Sequence, residues 1–202
     1  EIVSGIDQEL SQSDYDLMLY TTHRFRGKES LYVKTIANGL VDGLILLVPH
    51  NSENYLEALP TDDFPYVLVD QIDTTHQSTS VDATNWQGAY DAVTYLISLG
   101  HRRVGFITGH LSLNSARERL DGYRAALQHH HLPIEDCLIV EGDYSTKSGY
   151  TAAKQLLALK STPTAIFAAN DLTAFGVYDA VLEAGLHIPD QMSVIGFDDV
   201  PL

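Results

Sequence analysis

The sequence has little positive charge. Its 202 residues include 12 lysines and arginines against 27 aspartates and glutamates, a formal net charge of −15 with histidines neutral. Both ends share the imbalance, with 4 basic and 14 acidic residues up to residue 83 and 8 against 13 beyond it. DNA affinity comes mainly from basic side chains that displace counterions, so this chain is poorly suited to grip a phosphate backbone.

Other absences narrow the class of protein. A single cysteine, Cys137, excludes an internal disulfide and favours a reducing compartment. The longest apolar run, residues 43–48, is far shorter than the roughly 20 residues of a membrane-spanning helix. The first residues lack the pattern of a secretory signal. We therefore expect a cytoplasmic globular protein, and the 45% hydrophobic content is enough for a core.

Catalytic and cofactor motifs are also missing. The chain contains no Gly-x-Ser-x-Gly, P-loop, Gly-x-Gly-x-x-Gly or His-Glu-x-x-His pattern. Asp198 and Asp199 suit a glycosidase pair poorly, because adjacent side chains on an extended turn diverge. The histidines at 129–131 end a predicted helix, where they complement the negative dipole. We expect no enzyme activity, no metal and no cofactor.

Short apolar runs alternate with stretches of helical periodicity along nearly the whole chain, which is typical of parallel βαβ units. Runs such as VGFI and AIFA do not alternate, as expected for strands buried on both faces. The polar stretch 71–80 interrupts this alternation of strands and helices, so we place a domain boundary near residue 83. The predicted strands are 17–20, 44–48, 66–69, 104–108, 138–140, 165–168 and 193–197. The predicted helices are 2–12, 28–40, 52–59, 86–99, 115–128, 146–159 and 171–184.

Ligands bind beyond the carboxyl ends of the strands in open parallel sheets. Polar side chains follow the predicted strands at 21–23, 50–51, 70–71, 109–119, 144, 170–171 and 198–199. Arginine and carboxylate groups hydrogen-bond hydroxyls, and an aromatic ring packs on the C–H face of a sugar. The combination fits a sugar or a similarly polar small molecule.

Each candidate also has a structural alternative. Asn170 is a good helix N-cap. Asp198 and Asp199 fit a polar turn, and Tyr144 fits a surface aromatic. Residues 117–119 (Arg-Glu-Arg) fit a solvated helix face with local ion pairs.

Four motifs, in a fixed order along the chain, identify a family resemblance. They are residues 99–109 (LGHRRVGFITG), 116–123 (ARERLDGY), 168–171 (AAND) and 193–202 (SVIGFDDVPL). Together they closely resemble the effector-binding core of LacI/GalR-family bacterial transcription regulators, and the resemblance covers essentially the whole chain. It implies an α/β fold of two Rossmann-like parallel-sheet subdomains with periplasmic binding protein-like type I architecture. We assign them to residues 1–83 and 84–202, with the effector in the cleft between them.

The resemblance also implies roles for individual residues. Arg119, three residues before the glycine of its helix, corresponds to the arginine that grips the effector. Asn170 and Asp198 match polar residues that bind effector hydroxyls, and Tyr144 lies where an aromatic lines the pocket. Arg119→Ala is therefore expected to abolish effector binding and leave the fold intact.

Candidates from the first subdomain match by location alone, and these are His50, Asp70 and Thr22. Asn85 opens the helix that follows the crossover, and its expected role is helix capping or hinge packing.

The family implies partners as well. We expect a homodimer that binds a small-molecule effector, a sugar, and that acts as a repressor on operator DNA through a helix-turn-helix head. That head, the first strand and the C-terminal end of the core are not in this chain, so an incomplete core is expected. Two alternatives stay open: an exported sugar-binding protein of a transport system, which shares the fold, and an enzyme that acts on sugars.

Overall fold

The computed structural model describes residues 2–21, 29–47, 64–70 and 79–201. The chain divides into two compact units, Glu1–Leu44 with Asn51–Pro65 and Ile45–His50 with Tyr66–Leu202. The first unit includes helices α1 (Ile2–Leu10) and α2 (Glu29–Ala37). The subdomain boundary near residue 83 is not tested by this division and stays a prediction.

One sheet has three strands in the order β1-β2-β3. These are β1 (Leu44–Leu47), β2 (Tyr66–Val69) and β3 (Thr79–Val81), and β2 pairs in parallel with β3. Strand β3 was not predicted, because its residues overlap the polar stretch 71–80, which shows neither a strand nor a helix pattern. Each of its residues is exposed, so no burial pattern marked it.

The other sheet has four parallel strands in the order β5-β4-β6-β7. They are β4 (Val104–Thr108), β5 (Ile139–Glu141), β6 (Ala165–Ala168) and β7 (Ser193–Ile195). Every residue of the two inner strands, β4 and β6, is buried. The continuous apolar runs that predicted strands covered on both faces are therefore confirmed.

Four helices cover this sheet, two on each face. They are α3 (Asn85–Ser98), α4 (Asn114–His129), α5 (Thr146–Leu157) and α6 (Asp171–Glu183). Phe106 and Phe167 pack with α3 and α4, whereas Ile107 and Ile166 pack with α5 and α6. The split follows from the alternation of side chains along a strand. The rings of Phe106 and Phe167 stack with centroids 4.7 Å apart.

The helix ends follow local signals in the sequence. Helix α3 ends at Ser98, and Gly100 follows it with a φ of 100°, a conformation that costs glycine little energy. The amides of Gly100 and His101 then bond to the carbonyls of Ile97 and Leu96, which closes the helix as a Schellman motif. The Ser145 hydroxyl caps α5 by accepting from the Ser148 amide. Helix α4 ends at His129, so the predicted helix-end position of the histidine tract is confirmed.

The predicted strand at 17–20 is wrong. The described sheets include no strand from this segment, and the side chains of Met18 and Leu19 are exposed. An apolar run forms a strand only where a neighbouring backbone receives its hydrogen bonds, and no sequence pattern supplies that neighbour. The predicted helix at 52–59 lies outside the described residues. Strand β7 ends at Ile195, two residues earlier than predicted, and the Phe197 carbonyl accepts from the amide of Asp171 at the start of α6.

In the described part of the chain, no helix is both long and apolar enough to cross a bilayer.

His101 joins two strands of the larger sheet where they begin. Its Nδ1 lies 2.8 Å from the Thr164 hydroxyl, and its Nε2 lies 3.0 Å from the Ser193 hydroxyl. Thr164 precedes β6 and Ser193 opens β7. Burial lowers the pKa of the His101 imidazole below its ordinary value, so the folded protein favours the neutral ring.

This shift predicts an acid-sensitive contribution to stability. Because the unfolded chain binds the proton more readily, the contribution is complete above the unfolded pKa of about 6.5 and declines as pH falls below it. In urea unfolding, we expect the wild type to lose more stability between pH 7.5 and pH 5.5 than His101→Gln, which keeps hydrogen-bonding groups but does not titrate. Parallel pH profiles for the two proteins would contradict the prediction.

Candidate functional site

Arg119 is the centre of a polar cluster at the carboxyl ends of β4, β6 and β7. Its side chain is only 8% exposed. The Nε atom donates to Asn85 Oδ1 at 2.9 Å, and one terminal nitrogen donates to the carbonyl of Ala169. The other terminal nitrogen lies 3.6 Å from Asp198 Oδ1. A buried guanidinium needs such partners, because removing a charge from water without them is costly.

Asn85 links Arg119 to two carboxylates. Its side chain is buried, and its Nδ2 lies 3.2 Å from both Asp82 Oδ1 and Glu118 Oε2. Glu118 also accepts from the Asn114 side chain. The predicted role of Asn85 in capping does not hold, because the N-cap position belongs to Thr84 and no side-chain cap bond forms. Asn85 instead orients the guanidinium of Arg119.

Two aromatic rings accompany the guanidinium. The Arg119 Cζ lies 3.8 Å from the centroid of the Phe197 ring and 5.9 Å from that of Tyr144. Such stacking stabilises a cation over the negative face of a ring. The Tyr144 ring lies so close to Gly109 that a Cβ there would be 2.0 Å from the ring. Glycine at 109 is therefore required for the ring to reach this position.

Tyr144 is not a surface aromatic, because its ring is half-buried and burial raises the pKa of its phenol. Its hydroxyl lies 3.5 Å from that of Ser115. Its backbone has φ 65°, a left-handed conformation that costs a side-chain-bearing residue energy. The ring is thus held towards the cluster at the expense of local backbone strain.

Asn170 ties this loop to the start of α6. Its Oδ1 accepts from the Thr173 amide at 2.9 Å, so the capping alternative is confirmed. Its Nδ2 donates to the Tyr144 carbonyl at 3.2 Å. One N–H and one acceptor lone pair of the amide remain for another partner.

Asp198 and Asp199 form a tight turn after β7, with φ angles of 104° and 57°. The side chain of Asp198 is 39% exposed, so its carboxylate offers acceptor sites to solvent while it faces Arg119. Asp199 is exposed as well. The polar-turn alternative is therefore correct for the backbone, and it is compatible with a role in ligand binding.

Asp70 follows β2 and belongs to the same electrostatic cluster. Burial raises the pKa of its carboxyl, and the nearby carboxylates of Asp82, Asp198 and Glu118 raise it further, against the lowering effect of Arg119. Its amide donates to the Val81 carbonyl, which holds the residue beside β3.

The structure thus brings together five of the seven predicted site residues: Arg119, Asn170, Tyr144, Asp198 and Asp70. His50 and Thr22 lie outside the described residues. Among residues 117–119, Arg117 follows the surface alternative, donating to the carbonyls of Leu111 and Ser112.

Sequence analysis missed Phe197 and Glu118 as parts of the cluster. Phe197 was available as the aromatic last residue of the predicted strand 193–197, next to the position where ligand loops begin. Glu118 was considered only together with its neighbours at 117 and 119, as part of a solvated helix face with local ion pairs.

The arrangement suits recognition of a polyol. Arg119 has N–H donors beyond those that face its three partners, the Asp198 carboxylate is partly exposed, and the aromatic rings supply an apolar face. In the described residues, no group of three or more His, Cys, Asp or Glu side chains is arranged to hold a metal ion. A surface depression of about 320 Å³ lies elsewhere, beside β5 and α5, and none of its lining residues belongs to the cluster.

Comparisons with known proteins define the class of this fold. Residues 93–202, more than half of the chain, match the family model described as a periplasmic binding protein-like domain. Among curated relatives, the repressor PurR of Edwardsiella ictaluri is 36% identical over 99% of this chain. The catabolite control protein A of Priestia megaterium is 35% identical over the whole chain. The chain spans 59% and 61% of the lengths of these two relatives.

Solved structures agree with this class. A regulatory protein of the LacI family from Chloroflexus aggregans matches 98% of this chain and 71% of its own, with a TM-score of 0.88 and 31% identity. A complex of the transcriptional regulator CelR with cellobiose matches 98% of this chain and 61% of its own, with a TM-score of 0.89 and 31% identity. The chain therefore belongs to the LacI family. The family and the α/β fold class that the sequence predicted are both confirmed.

The buried hydrogen bonds of Arg119 predict that its removal also affects folding. Arg119→Ala leaves Asn85 Oδ1 and the Ala169 carbonyl without their donor, which costs about 2 to 3 kcal/mol of unfolding free energy. Urea denaturation measures the loss. This result would overturn the expectation that the variant leaves the fold intact.

Arg124→Ala is the matched control on the same helix, because the Arg124 side chain is 42% exposed and its ion pair with Asp121 is long, at 4.0 Å. We expect it to change the unfolding free energy by about 0.5 kcal/mol or less. Equal losses for the two variants would mean that the Arg119 contacts contribute nothing special.

Proposed function

We propose that this chain is the effector-binding core of a LacI-type transcriptional repressor. A small polar metabolite, a sugar, binds between subdomains formed by residues 1–83 and 84–202 and controls the affinity of the protein for operator DNA. The observation that carries the proposal is the Arg119 guanidinium, which lies 3.8 Å from the Phe197 ring and 3.6 Å from the Asp198 carboxylate.

The contacts support binding rather than catalysis. Each polar group around Arg119 is held by a neighbour, and the groups present donors, acceptors and ring faces that can satisfy several hydroxyls at once. The relatives support the same view, since PurR is named as a transcriptional repressor and the Chloroflexus aggregans protein as a regulatory protein of the LacI family. This favours a regulator over the exported sugar-binding protein and the sugar-processing enzyme.

The ligand contacts follow from the cluster. Arg119, Asn170 and Asp198 bind ligand hydroxyls, Tyr144 packs on an apolar face of the ligand, and Asp70 accepts from a further hydroxyl. His50 and Thr22 are candidate contacts from the first subdomain. The CelR structure is named as a cellobiose complex, which supports a saccharide as the class of ligand.

Control of DNA binding requires two global states with different affinities for the ligand. A ligand that prefers one arrangement of the subdomains shifts the protein towards it, and operator DNA changes ligand affinity by the reciprocal factor. In a homodimer, such a shift changes the spacing of two DNA-reading heads relative to the operator half-sites. The acidic charge of this chain fits DNA contact by a separate basic head in the cytoplasm.

A thermal-shift screen of the full-length protein tests the proposal. The panel contains monosaccharides, disaccharides, nucleobases and phosphorylated sugars. A ligand that binds only the folded state stabilises it by about 2.7 kcal/mol at a hundredfold excess over its Kd. The ligand identified in this way should also change the affinity for operator DNA in a fluorescence anisotropy titration. A panel in which no compound stabilises the protein would contradict the proposal.

Asp198→Asn separates ligand contact from folding. The carboxylate becomes a neutral amide whose oxygen can still face Arg119 and whose backbone still fits a positive φ, so we expect the fold to be kept with a modest loss of stability. A hydrogen bond to a charged group is worth about 1 kcal/mol more than a neutral one, so Kd for the ligand should rise roughly fivefold in isothermal titration calorimetry.

Asp199→Asn is the control for this variant. It lies in the same turn, is exposed, has a positive φ and removes the same charge. We expect its Kd to stay close to that of the wild type. A loss of affinity of the same size in both variants would assign the effect to net charge and not to contact with the ligand.

A further inference from the structure

Negative charge outweighs positive charge around Arg119. Through Asn85, the guanidinium is connected to the carboxylates of Asp82 and Glu118, each 3.2 Å from the Asn85 amide nitrogen. Asp198 lies 3.6 Å from the guanidinium on another side of this network. In the part of the chain that the structure describes, one carboxylate thus lies directly beside Arg119, and two more are connected to it through Asn85.

Asp70 adds a fourth carboxylate to this group. The charges that act on it are those of Asp82, Asp198, Glu118 and Arg119. Among these charges, only Arg119 favours ionisation of Asp70. Its effect on the pKa is smaller than that of burial and smaller than that of Asp82, and the pKa of the carboxyl is raised overall. The local field is therefore negative even beside the arginine.

Arg119 is also poorly available to an anion. An arginine that binds phosphate presents two parallel N–H groups in a fork. Here the Nε donates to Asn85, one terminal nitrogen donates to the Ala169 carbonyl, and the other faces Asp198. A phosphate that accepts from the remaining N–H groups of Arg119 would lie beside the Asp198 carboxylate and close to the other acidic groups.

We propose that the site around Arg119 selects an uncharged polyol and rejects anionic ligands, phosphorylated sugars in particular. The proposal rests on the proposed function, because it specifies the charge of the ligand for the same site. A hydroxyl can donate to the carboxylates and accept from the guanidinium, whereas a phosphate oxygen at neutral pH only accepts. The surrounding carboxylates are thus partners for a sugar and repel its phosphate ester.

Matched pairs of ligands test the selectivity. Isothermal titration calorimetry on the full-length protein compares D-glucose with D-glucose 6-phosphate, D-ribose with D-ribose 5-phosphate, and cellobiose with cellobiose 6-phosphate. We expect the neutral member of the pair that binds to have a Kd at least roughly tenfold lower, given the size of charge interactions at partly buried sites. Tighter binding of a phosphorylated member would overturn the selectivity and leave the proposed function in place.

If no sugar of the panel binds, the proposed function is contradicted. A second measurement then still tests whether the carboxylates around Arg119 weaken the binding of an anion. Inorganic phosphate is titrated into the wild type and into Asp70→Asn at constant ionic strength. Asparagine tolerates the φ of 57° at this position, so the backbone is kept. We expect Asp70→Asn to bind phosphate at least threefold more tightly than the wild type, because one opposing charge is removed.

Asp179→Asn is the matched control. Asp179 is exposed on α6, outside the Arg119 cluster, and its substitution changes the net charge of the protein by the same amount. We expect phosphate affinity to match that of the wild type. Equal phosphate affinity in all three proteins, or an equal gain in both variants, would overturn the proposal.

Discussion

The buried guanidinium of Arg119 is the constraint on which the rest of the site depends. A charge that is only 8% exposed has to be paired and hydrogen-bonded. Its partners come from three places in the sequence: Asn85 at the start of α3, the carbonyl of Ala169 after β6, and Asp198 after β7. One side chain therefore sets the relative positions of three segments that carry the remaining polar groups.

The sheet supplies the frame for this arrangement. Strands β4 and β6 are buried throughout, and the stacked rings of Phe106 and Phe167 hold them in register beneath α3 and α4. Because all four strands are parallel, their carboxyl ends meet at one edge. The strained backbones of Tyr144 and Asp198 are located in loops at this edge, where a packed core can maintain unfavourable φ angles.

The acidic composition of the chain has two consequences at different scales. Over the whole chain it disfavours contact between these residues and a DNA backbone. Around Arg119, the carboxylates of Asp82, Glu118, Asp198 and Asp70 make a local environment in which hydroxyls are better partners than anions. The same residue types thus affect both the net charge of the chain and the proposed choice of ligand.

The sequence by itself determined the parallel α/β class, six of the seven observed strands, and Arg119, Asn170, Tyr144 and Asp198 as site candidates. Periodicity and capping residues are local, so they can be seen without the fold. Only tertiary structure decided the exposed state of residues 17–20, strand β3, and the places of Asn85, Glu118 and Phe197 beside Arg119. These features depend on pairing between distant segments, because a strand needs a neighbour and a buried charge needs partners that no local pattern specifies.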